Sequence, residues 1–342
     1  TTPVEMVFGW QDDLTRPVGA LAIAATLQTL GHRVVERGFD LGHNLTLPEY
    51  DWATTREWFL RHRKDPLPRS LHFRVANLRH NRHAWLRIDA LHDYNSVGEV
   101  QARLLPNGTL NLTTRNVARL SYLPPLLLLA GAEAFPAEAQ TFHFTPDGSP
   151  ADPPPARDGP VKHPGQSGPL WNIYSDPILH VYDDTLPDDL RRRVEQWARS
   201  SARSDAAPGP FSFPVRALSE VTEADRAAYN LLLFVDAGHP HPWQAQLAVP
   251  LPPEVNALRA ETPANLIAIR PSPWADNRLI LIAEAAHPQL PALPHMHFFQ
   301  EHLQPDWFVA EGSRILAAGA FDHHWQPGPW ARGTFITRIL TR

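Results

Sequence analysis

The sequence predicts an α/β protein with a partial α/β lobe, a small antiparallel β-sandwich module and a C-terminal layered α/β domain. Short apolar runs alternate with helical patterns at both ends of the chain, which is typical of layered α/β folds. Between them, apolar and polar residues alternate as in half-buried strands. A stretch rich in proline, aspartate and glycine follows, as in linkers. The predicted parts are residues 1–66, 67–145, a linker at 146–166, and 167–342.

Length and composition exclude several classes of protein. At 342 residues the chain is long enough for two or three domains. Its formal net charge of −5 is mild and scattered, which argues against nucleic acid or an anionic membrane as a partner. No apolar run is long enough to span a bilayer. The absence of cysteine excludes disulfides and thiolate metal sites.

The chain opens with the pattern of a strand, a turn and a helix. Residues 5–9 are a short extended run that ends on a glycine. Asp12 and Asp13 follow in the turn, and Pro17 stands where a helix takes its first residue. The helix runs to about Leu30 and is apolar on two sides, which predicts that both sides are covered.

A second strand and a histidine follow this helix. Gly31 stops the helix, and Val34 and Val35 begin the strand. Gly42 and His43 stand in the loop beyond it. The pattern predicts two parallel strands, one ending near an acid and the next ending near a histidine.

This opening resembles the last part of an α/β-hydrolase, closest to the prolyl-oligopeptidase-like serine esterases and peptidases. In that family a Gly-x-x-Asp-Asp-x-x-x-Pro turn holds the acid of the catalytic triad, and a Gly-His loop holds the base. The matching residues here are Gly9, Asp12, Asp13, Pro17, Gly42 and His43. The resemblance implies that Asp12 is the acid, with Asp13 as the alternative in the same turn, and that His43 is the base.

The nucleophile of such an enzyme is not recognisable in this sequence. In this fold the serine precedes the acid and the histidine, so it would lie upstream of Asp12. The segment Gly165-Gln166-Ser167-Gly168 is one residue short of the Gly-x-Ser-x-Gly spacing. Since the sequence begins at Thr1 without a methionine, we expect a processed or truncated chain. Since it lacks a recognisable nucleophile, we expect this chain to be inactive alone. The serine is then expected in a missing N-terminal half, or in a partner fragment if the polypeptide is nicked.

A second helix is predicted to close this lobe. Thr46 and Glu49 have the spacing of a capping box at a helix start. The cationic residues 61–64 favour the helix dipole at its end.

The middle and the end of the chain carry further predicted strands. In the β module these are residues 71–75, 85–89, 100–104, 110–113, 118–122 and 141–144, with a hairpin turn at 106–108. In the C-terminal domain they are 178–182, 231–235, 265–269, 279–283 and 307–309, with helices at 187–200 and near 295–302. The C-terminal part also resembles the region attached to some bacterial members of the same hydrolase group.

Histidines and tryptophans suggest two further sites. His295, His297 and His302, with His323 and His324, could bind a divalent metal, although no carboxylate stands at a recognised spacing. Surface or hydrogen-bonded histidines are the favoured interpretation, so neither a metal nor a cofactor is predicted. Tryptophans 274, 307, 325 and 330 could line a groove, although Trp307 is expected in the core.

Two functions are consistent with these patterns. The resemblance implies a serine hydrolase that cleaves a small-molecule ester or a peptide through an acyl-enzyme. The alternative is a non-catalytic binding or scaffolding protein with a relic hydrolase lobe. The family resemblance and the 36 prolines favour a secreted or periplasmic location.

Overall fold

The computed structural model describes residues 3–14, 16–43, 52–63, 65, 68–123, 139–203, 212–286, 305–312 and 314–332. The chain divides into two compact units, Thr1–Pro66 and Leu67–Arg342. Helices and strands occur together, and the described strands form four sheets, as expected for the broad α/β class.

The first unit is built on a parallel pair of strands. Strand β1 (Val4–Gly9) pairs with β2 (Val34–Phe39), and helix α1 (Pro17–Thr29) connects them. A Cβ added at Gly9 would collide with the carbonyl oxygen of Leu41, so the chain leaving β2 passes directly against β1. The parallel pairing places the carboxyl ends of both strands side by side, as the sequence predicted.

The prediction that α1 is covered on both sides is wrong for the described structure. Val18, Ile23 and Leu30 are 68%, 56% and 67% exposed, and Ala24 is its only buried residue. The physical reason is the width of the sheet, because two strands can cover only one side of a helix. Helix α2 (Trp52–Arg61) completes the unit; its predicted start signal at Thr46 and Glu49 lies outside the described residues.

Two antiparallel sheets begin the second unit. Their strands are β3 (Ser70–Val75), β4 (Arg82–His83), β5 (Leu86–Leu91), β6 (Gly98–Leu104), β7 (Leu110–Arg115), β8 (Val117–Tyr122), β9 (Gln140–Phe144) and β10 (Pro150–Ala151). One sheet has the order β3-β6-β7 and the other β10-β9-β8-β5-β4. Both sheets contribute to one hydrophobic cluster, which contains Val100 from the first and Ile88 and Leu120 from the second. The predicted β6–β7 hairpin is present.

An eight-stranded mixed sheet forms the rest of the second unit. Its strands are β11 (Ile178–Tyr182), β12 (Val215–Ala217), β13 (Asn230–Asp236), β14 (Asn265–Pro271), β15 (Leu279–Ala285), β16 (Trp307–Glu311), β17 (Arg314–Phe321) and β18 (Pro327–Arg332), in the order β12-β11-β13-β15-β14-β16-β17-β18. The first four strands of that order are parallel, and the others pair antiparallel. The helices are α3 (Asp188–Ala202), α4 (Glu223–Ala228) and α5 (Pro253–Glu261).

Apolar side chains cover both faces of this sheet. Leu232 and Phe234 of β13 pack on one face with Trp197 of α3, while Leu231 and Leu233 pack on the other. Strands buried on both faces read as continuous apolar runs, which is why β11, β13, β14 and β15 were recognisable. Strands β12, β17 and β18, and helices α4 and α5, were not predicted, and the helix expected near residues 295–302 lies outside the described residues.

Polar contacts join the β-rich region to the eight-stranded sheet. The hydroxyl of Tyr94 lies 2.8 Å from Nδ1 of His323, and Asn95 donates to the carbonyl of Pro329 at 2.9 Å. Lys162, in the segment 146–166 interpreted as a linker, is fully buried between them. The subdivision of residues 67–342 into module, linker and domain therefore stays a prediction, within a region that packs as one unit.

Candidate active site

The turn after β1 positions Asp12. The amide of Trp10 donates to the carbonyl of Phe39 at 2.8 Å, and the amide of Gln11 donates to the carbonyl of Leu41 at 3.0 Å. These two bonds fix the turn against the chain that leaves β2. The Asp12 carboxylate then accepts a hydrogen bond from the amide of Leu14 at 3.0 Å, which holds the side chain within its own turn.

His43 meets this carboxylate. Its Nδ1 lies 3.0 Å from Oδ2 and 3.2 Å from Oδ1 of Asp12. The His43 side chain is 55% exposed, whereas that of Asp12 is 8% exposed. The two residues are 31 positions apart in sequence, and the parallel pairing of β1 with β2 brings them together. The acid is thus buried beneath an accessible imidazole.

The contact determines which ring nitrogen carries the proton. An ionised carboxylate only accepts hydrogen bonds, so Nδ1 of His43 donates to Asp12. In the neutral ring the remaining nitrogen, Nε2, is then the basic one. A histidine oriented in this way can take a proton from a hydroxyl through Nε2, and the carboxylate then stabilises the imidazolium.

Asp13, the alternative acid, is placed differently. It is exposed, and the described contacts of His43 include Asp12 but none to Asp13. The geometry therefore favours Asp12 as the partner of the histidine.

The serines considered as nucleophiles are not placed as nucleophile elbows. Ser167 is 2% exposed, donates to the carbonyl of Gly168 at 3.1 Å and accepts from the side-chain amide of Asn172 at 3.1 Å. Ser167 lies in the second unit, and its buried hydroxyl is occupied by hydrogen bonds within that unit. Ser149 lies in a turn immediately before β10, and its hydroxyl oxygen is 3.4 Å from a carboxylate oxygen of Asp147. Ser313 lies outside the described residues.

The histidines considered as metal ligands are only partly described. His295, His297 and His302 lie outside the described residues. The rings of His323 and His324 are 5.4 Å apart, and His323 is engaged by Tyr94. Among the residues with described positions, no group of three or more His, Asp or Glu side chains could hold a metal ion.

The four tryptophans do not share one environment. Trp307 and Trp325 are fully buried, in agreement with the core position expected for Trp307. Trp274 packs edge-on against Trp243 with ring centroids 4.8 Å apart, and Trp330 is partly buried against the core of the eight-stranded sheet.

The structure contains a buried charged cluster that the sequence did not predict. The ammonium of Lys162 contacts the carboxylate of Asp306, and both side chains are inaccessible. Burial lowers the pKa of Lys162 and raises that of Asp306, while the attraction between the two charges opposes both shifts. Burial also raises the pKa of Tyr94, whose ring faces the ammonium. Lys162 follows a proline-rich stretch with no regular pattern, so no sequence signal marks it as buried.

No helix in the described part of the chain is long and apolar enough to cross a membrane. Comparison with protein-family models, with curated proteins and with solved structures found no match to this chain.

Proposed function

We propose that residues 1–66 supply the acid and the base of a serine hydrolase. The observation that carries the proposal is the contact between the buried Asp12 carboxylate and Nδ1 of the exposed His43 ring, at 3.0 Å. A triad needs a carboxylate on one imidazole nitrogen and access to the other; this pair supplies the first, and the His43 side chain is 55% exposed.

In the proposed mechanism, Nε2 of His43 takes the proton of a serine hydroxyl as its oxygen attacks the substrate carbonyl. Asp12 holds the ring in the required tautomer and stabilises its charge. The imidazolium then protonates the leaving alcohol or amine as the acyl-enzyme forms. Water, deprotonated by the same imidazole, attacks the acyl carbon, and the proton returns to the serine oxygen as the acid product leaves.

The serine and the oxyanion donors belong, in this proposal, to polypeptide outside residues 1–342. The lack of a Gly-x-Ser-x-Gly elbow in the sequence motivates this assignment. The exposed apolar surface of the first unit supports it. Trp10, Leu14, Val18, Ile23 and Leu30 are all more than half exposed, as expected of a lobe that packs against further sheet and helix.

The finer architecture belongs to the same proposal. Residues 1–66 would be part of an α/β-hydrolase lobe, the two antiparallel sheets that share a core would be a β-sandwich module, and the eight-stranded sheet with its helices would be a layered α/β domain. The substrate would be a small-molecule ester or a peptide, and the location secreted or periplasmic.

Fluorophosphonate labelling tests the proposal, because this reagent reacts with serines activated by a histidine. A longer polypeptide that carries an elbow-bearing segment upstream of residue 1 is expected to label. Its His43→Ala variant is expected to lose labelling, while His32→Ala, which removes a histidine between α1 and β2, is expected to keep it.

Three results would overturn the assignment. Full labelling of the His43→Ala variant would remove the histidine from the mechanism. Labelling of residues 1–342 alone would place the nucleophile among serines of this chain. Absence of labelling in every longer form would favour the alternative, a binding or scaffolding protein with a relic lobe.

A further inference from the structure

A polar cleft lies on one face of the five-stranded sheet of the second unit. It is an open depression with a volume of about 370 Å³. It is lined by side chains from three neighbouring strands, β5, β8 and β9: Arg87, Asp89, Arg119, Ser121, Thr141 and His143. None of these residues was singled out by the sequence patterns.

The pairing register explains why these side chains share one face. Arg87 stands opposite Ser121, Ser121 opposite Thr141, and Arg119 opposite His143. The intervening residues, such as Ile88 and Leu120, point to the hydrophobic core on the other face. A shift of register between Ile88 and Ala90 places Asp89 in an irregularity of β5. Such bulges redirect side chains and are enriched beside functional sites.

The floor of the cleft is a hydrogen-bonded network. The Asp89 carboxylate accepts from Nε of Arg87 at 2.5 Å and from the hydroxyl of Ser121 at 2.5 Å. The Asp89 side chain is 10% exposed, and Ser121 is buried. The negative charge of Asp89 is therefore neutralised by Arg87 within the floor itself.

Arg119 is left as the uncompensated charge of the cleft. No carboxylate within 4.0 Å pairs with its guanidinium among the residues that the structure places. The remaining groups at the rim, the Thr141 hydroxyl and the His143 ring, can both donate hydrogen bonds. The lining thus presents a net positive charge and mainly hydrogen-bond donors. Its one carboxylate, Asp89, already accepts hydrogen bonds from Arg87 and Ser121.

We propose that this cleft binds a small molecule through a carboxylate or phosphate group held by Arg119. A guanidinium presents a planar fork of donors that matches both oxyanions, and such charge-assisted bonds are the stronger ones in proteins. The Arg87 guanidinium, whose charge is balanced by Asp89, adds further N–H donors to the same cleft. The site lies in the second unit and does not depend on the role proposed for Asp12 and His43.

Isothermal titration of the intact chain with inorganic phosphate, and separately with citrate, tests the site. At low ionic strength we expect at least one probe to bind with a Kd of about 1 mM or tighter. The tighter probe identifies whether phosphate or carboxylate is preferred. Arg119→Gln is expected to weaken binding at least tenfold, roughly the effect of losing one charge-assisted hydrogen bond. Arg119→Lys keeps the positive charge but loses the planar pair of donors, so its affinity should lie between those of the parent chain and Arg119→Gln.

The matched control is Arg103→Gln, which removes one exposed arginine from β6 in the other sheet. It is expected to leave the affinity unchanged. If Arg119→Gln does not fold, His143→Gln provides a second cleft variant, and its binding should also weaken. The proposal is overturned if neither probe binds, if the cleft variant binds as tightly as the parent chain, or if Arg103→Gln weakens binding equally.

Discussion

Nζ of Lys162 lies 2.5 Å from Oδ2 of Asp306, and the two side chains are 0% and 2% exposed. Nζ also donates to the carbonyl of Phe321 at 2.9 Å, and the same carboxylate oxygen accepts from the amide of Phe321 at 2.7 Å. The ammonium lies 4.1 Å from the centroid of the Tyr94 ring. The pair is therefore satisfied by strands of the eight-stranded sheet and covered by the β-rich region.

Replacing Lys162 by methionine is expected to destabilise the second unit strongly. The substitution leaves the Asp306 charge buried without its partner, which typically costs about 3–5 kcal/mol. Urea unfolding followed by tryptophan fluorescence measures the change. The double variant Lys162→Met/Asp306→Leu should recover much of the loss because no charge remains buried. A loss of less than about 1 kcal/mol in the single variant would contradict this account.

In a longer polypeptide that carries the proposed serine, Asp12→Asn is expected to lower kcat by about 10³ to 10⁴-fold, since an amide cannot hold the histidine in the required tautomer. The matched control is Asp13→Asn in the same turn, with a change of less than about threefold expected because the described contacts of His43 run to Asp12. Ester hydrolysis measured at saturating substrate separates the two variants. Equal losses of kcat in the two variants would contradict the assignment of Asp12 as the acid.

The second unit is expected to lose stability as the pH falls from about 6.5 to about 4. Burial lowers the pKa of His180 to about 4, and burial together with nearby positive charges lowers the pKa of His323 to about 4. The unfolded chain takes up these protons below its ordinary pKa of 6.5, before the folded chain does. Each histidine therefore reduces the free energy of unfolding by up to about 1.4 kcal/mol per pH unit in that interval.

His180→Leu tests the pH prediction, because His180 is stacked between Phe213 and Phe234 and leucine keeps the site apolar. Unfolding curves measured across the interval should show a flatter pH dependence than the parent chain. His239→Gln, in an exposed turn, should leave the slope unchanged. An unchanged slope in His180→Leu would mean that its ring is not the group that titrates.

Asn230→Ala is expected to cost about 2 kcal/mol of stability. The buried side chain of Asn230 donates to the carbonyl of Ile173 at 2.9 Å and accepts from the amide of Leu279 at 2.8 Å. Alanine leaves both backbone groups buried and unsatisfied, and each carries a desolvation penalty. Chemical unfolding measures the loss. Asn256→Ala, which removes a longer and partly exposed bond to Leu251, is the control and should cost clearly less.

The exposed side of α1 is expected to promote self-association of residues 1–342. Val18 and Ile23 present apolar side chains to solvent on a small lobe. Serine at both positions should shift the size distribution towards the monomer in multi-angle light scattering. Substituting the exposed Thr26 and Thr29 by serine on the same helix is the control. A parent chain that is monomeric at high concentration would contradict the prediction.

Local patterns predicted the opening of the chain because each signal there has one local cause. Pro17 starts α1, and Gly9 permits the close passage of Leu41. The contact between Asp12 and His43 is not local, and it was expected from the two parallel strands together with the family resemblance. The covering of α1 could not be predicted in this way, since it depends on how many strands stand beside the helix. The apolar pattern shows only which residues are able to be buried.

Long-range partners explain the other failures. Lys162 belongs to a stretch without periodicity, and its burial depends on Asp306 and Tyr94, far away in sequence. The cleft residues follow the ordinary polar positions of strands, so only the pairing register reveals that Arg119 lies beside Ser121 and His143. Strand β17 follows β16 too closely for a helical crossover and pairs with it antiparallel, outside the parallel pattern that identified β11, β13 and β15.

The sequence separation of Lys162 from its partners bears on how the protein is made. Asp306 lies 144 positions and Phe321 159 positions after this lysine. A nascent chain leaves the ribosome from its N-terminus, so Lys162 emerges before Asp306, before Phe321 and before every strand of the eight-stranded sheet. The β-rich region therefore completes its packing around Lys162 only after Asp306 and Phe321 have been synthesised.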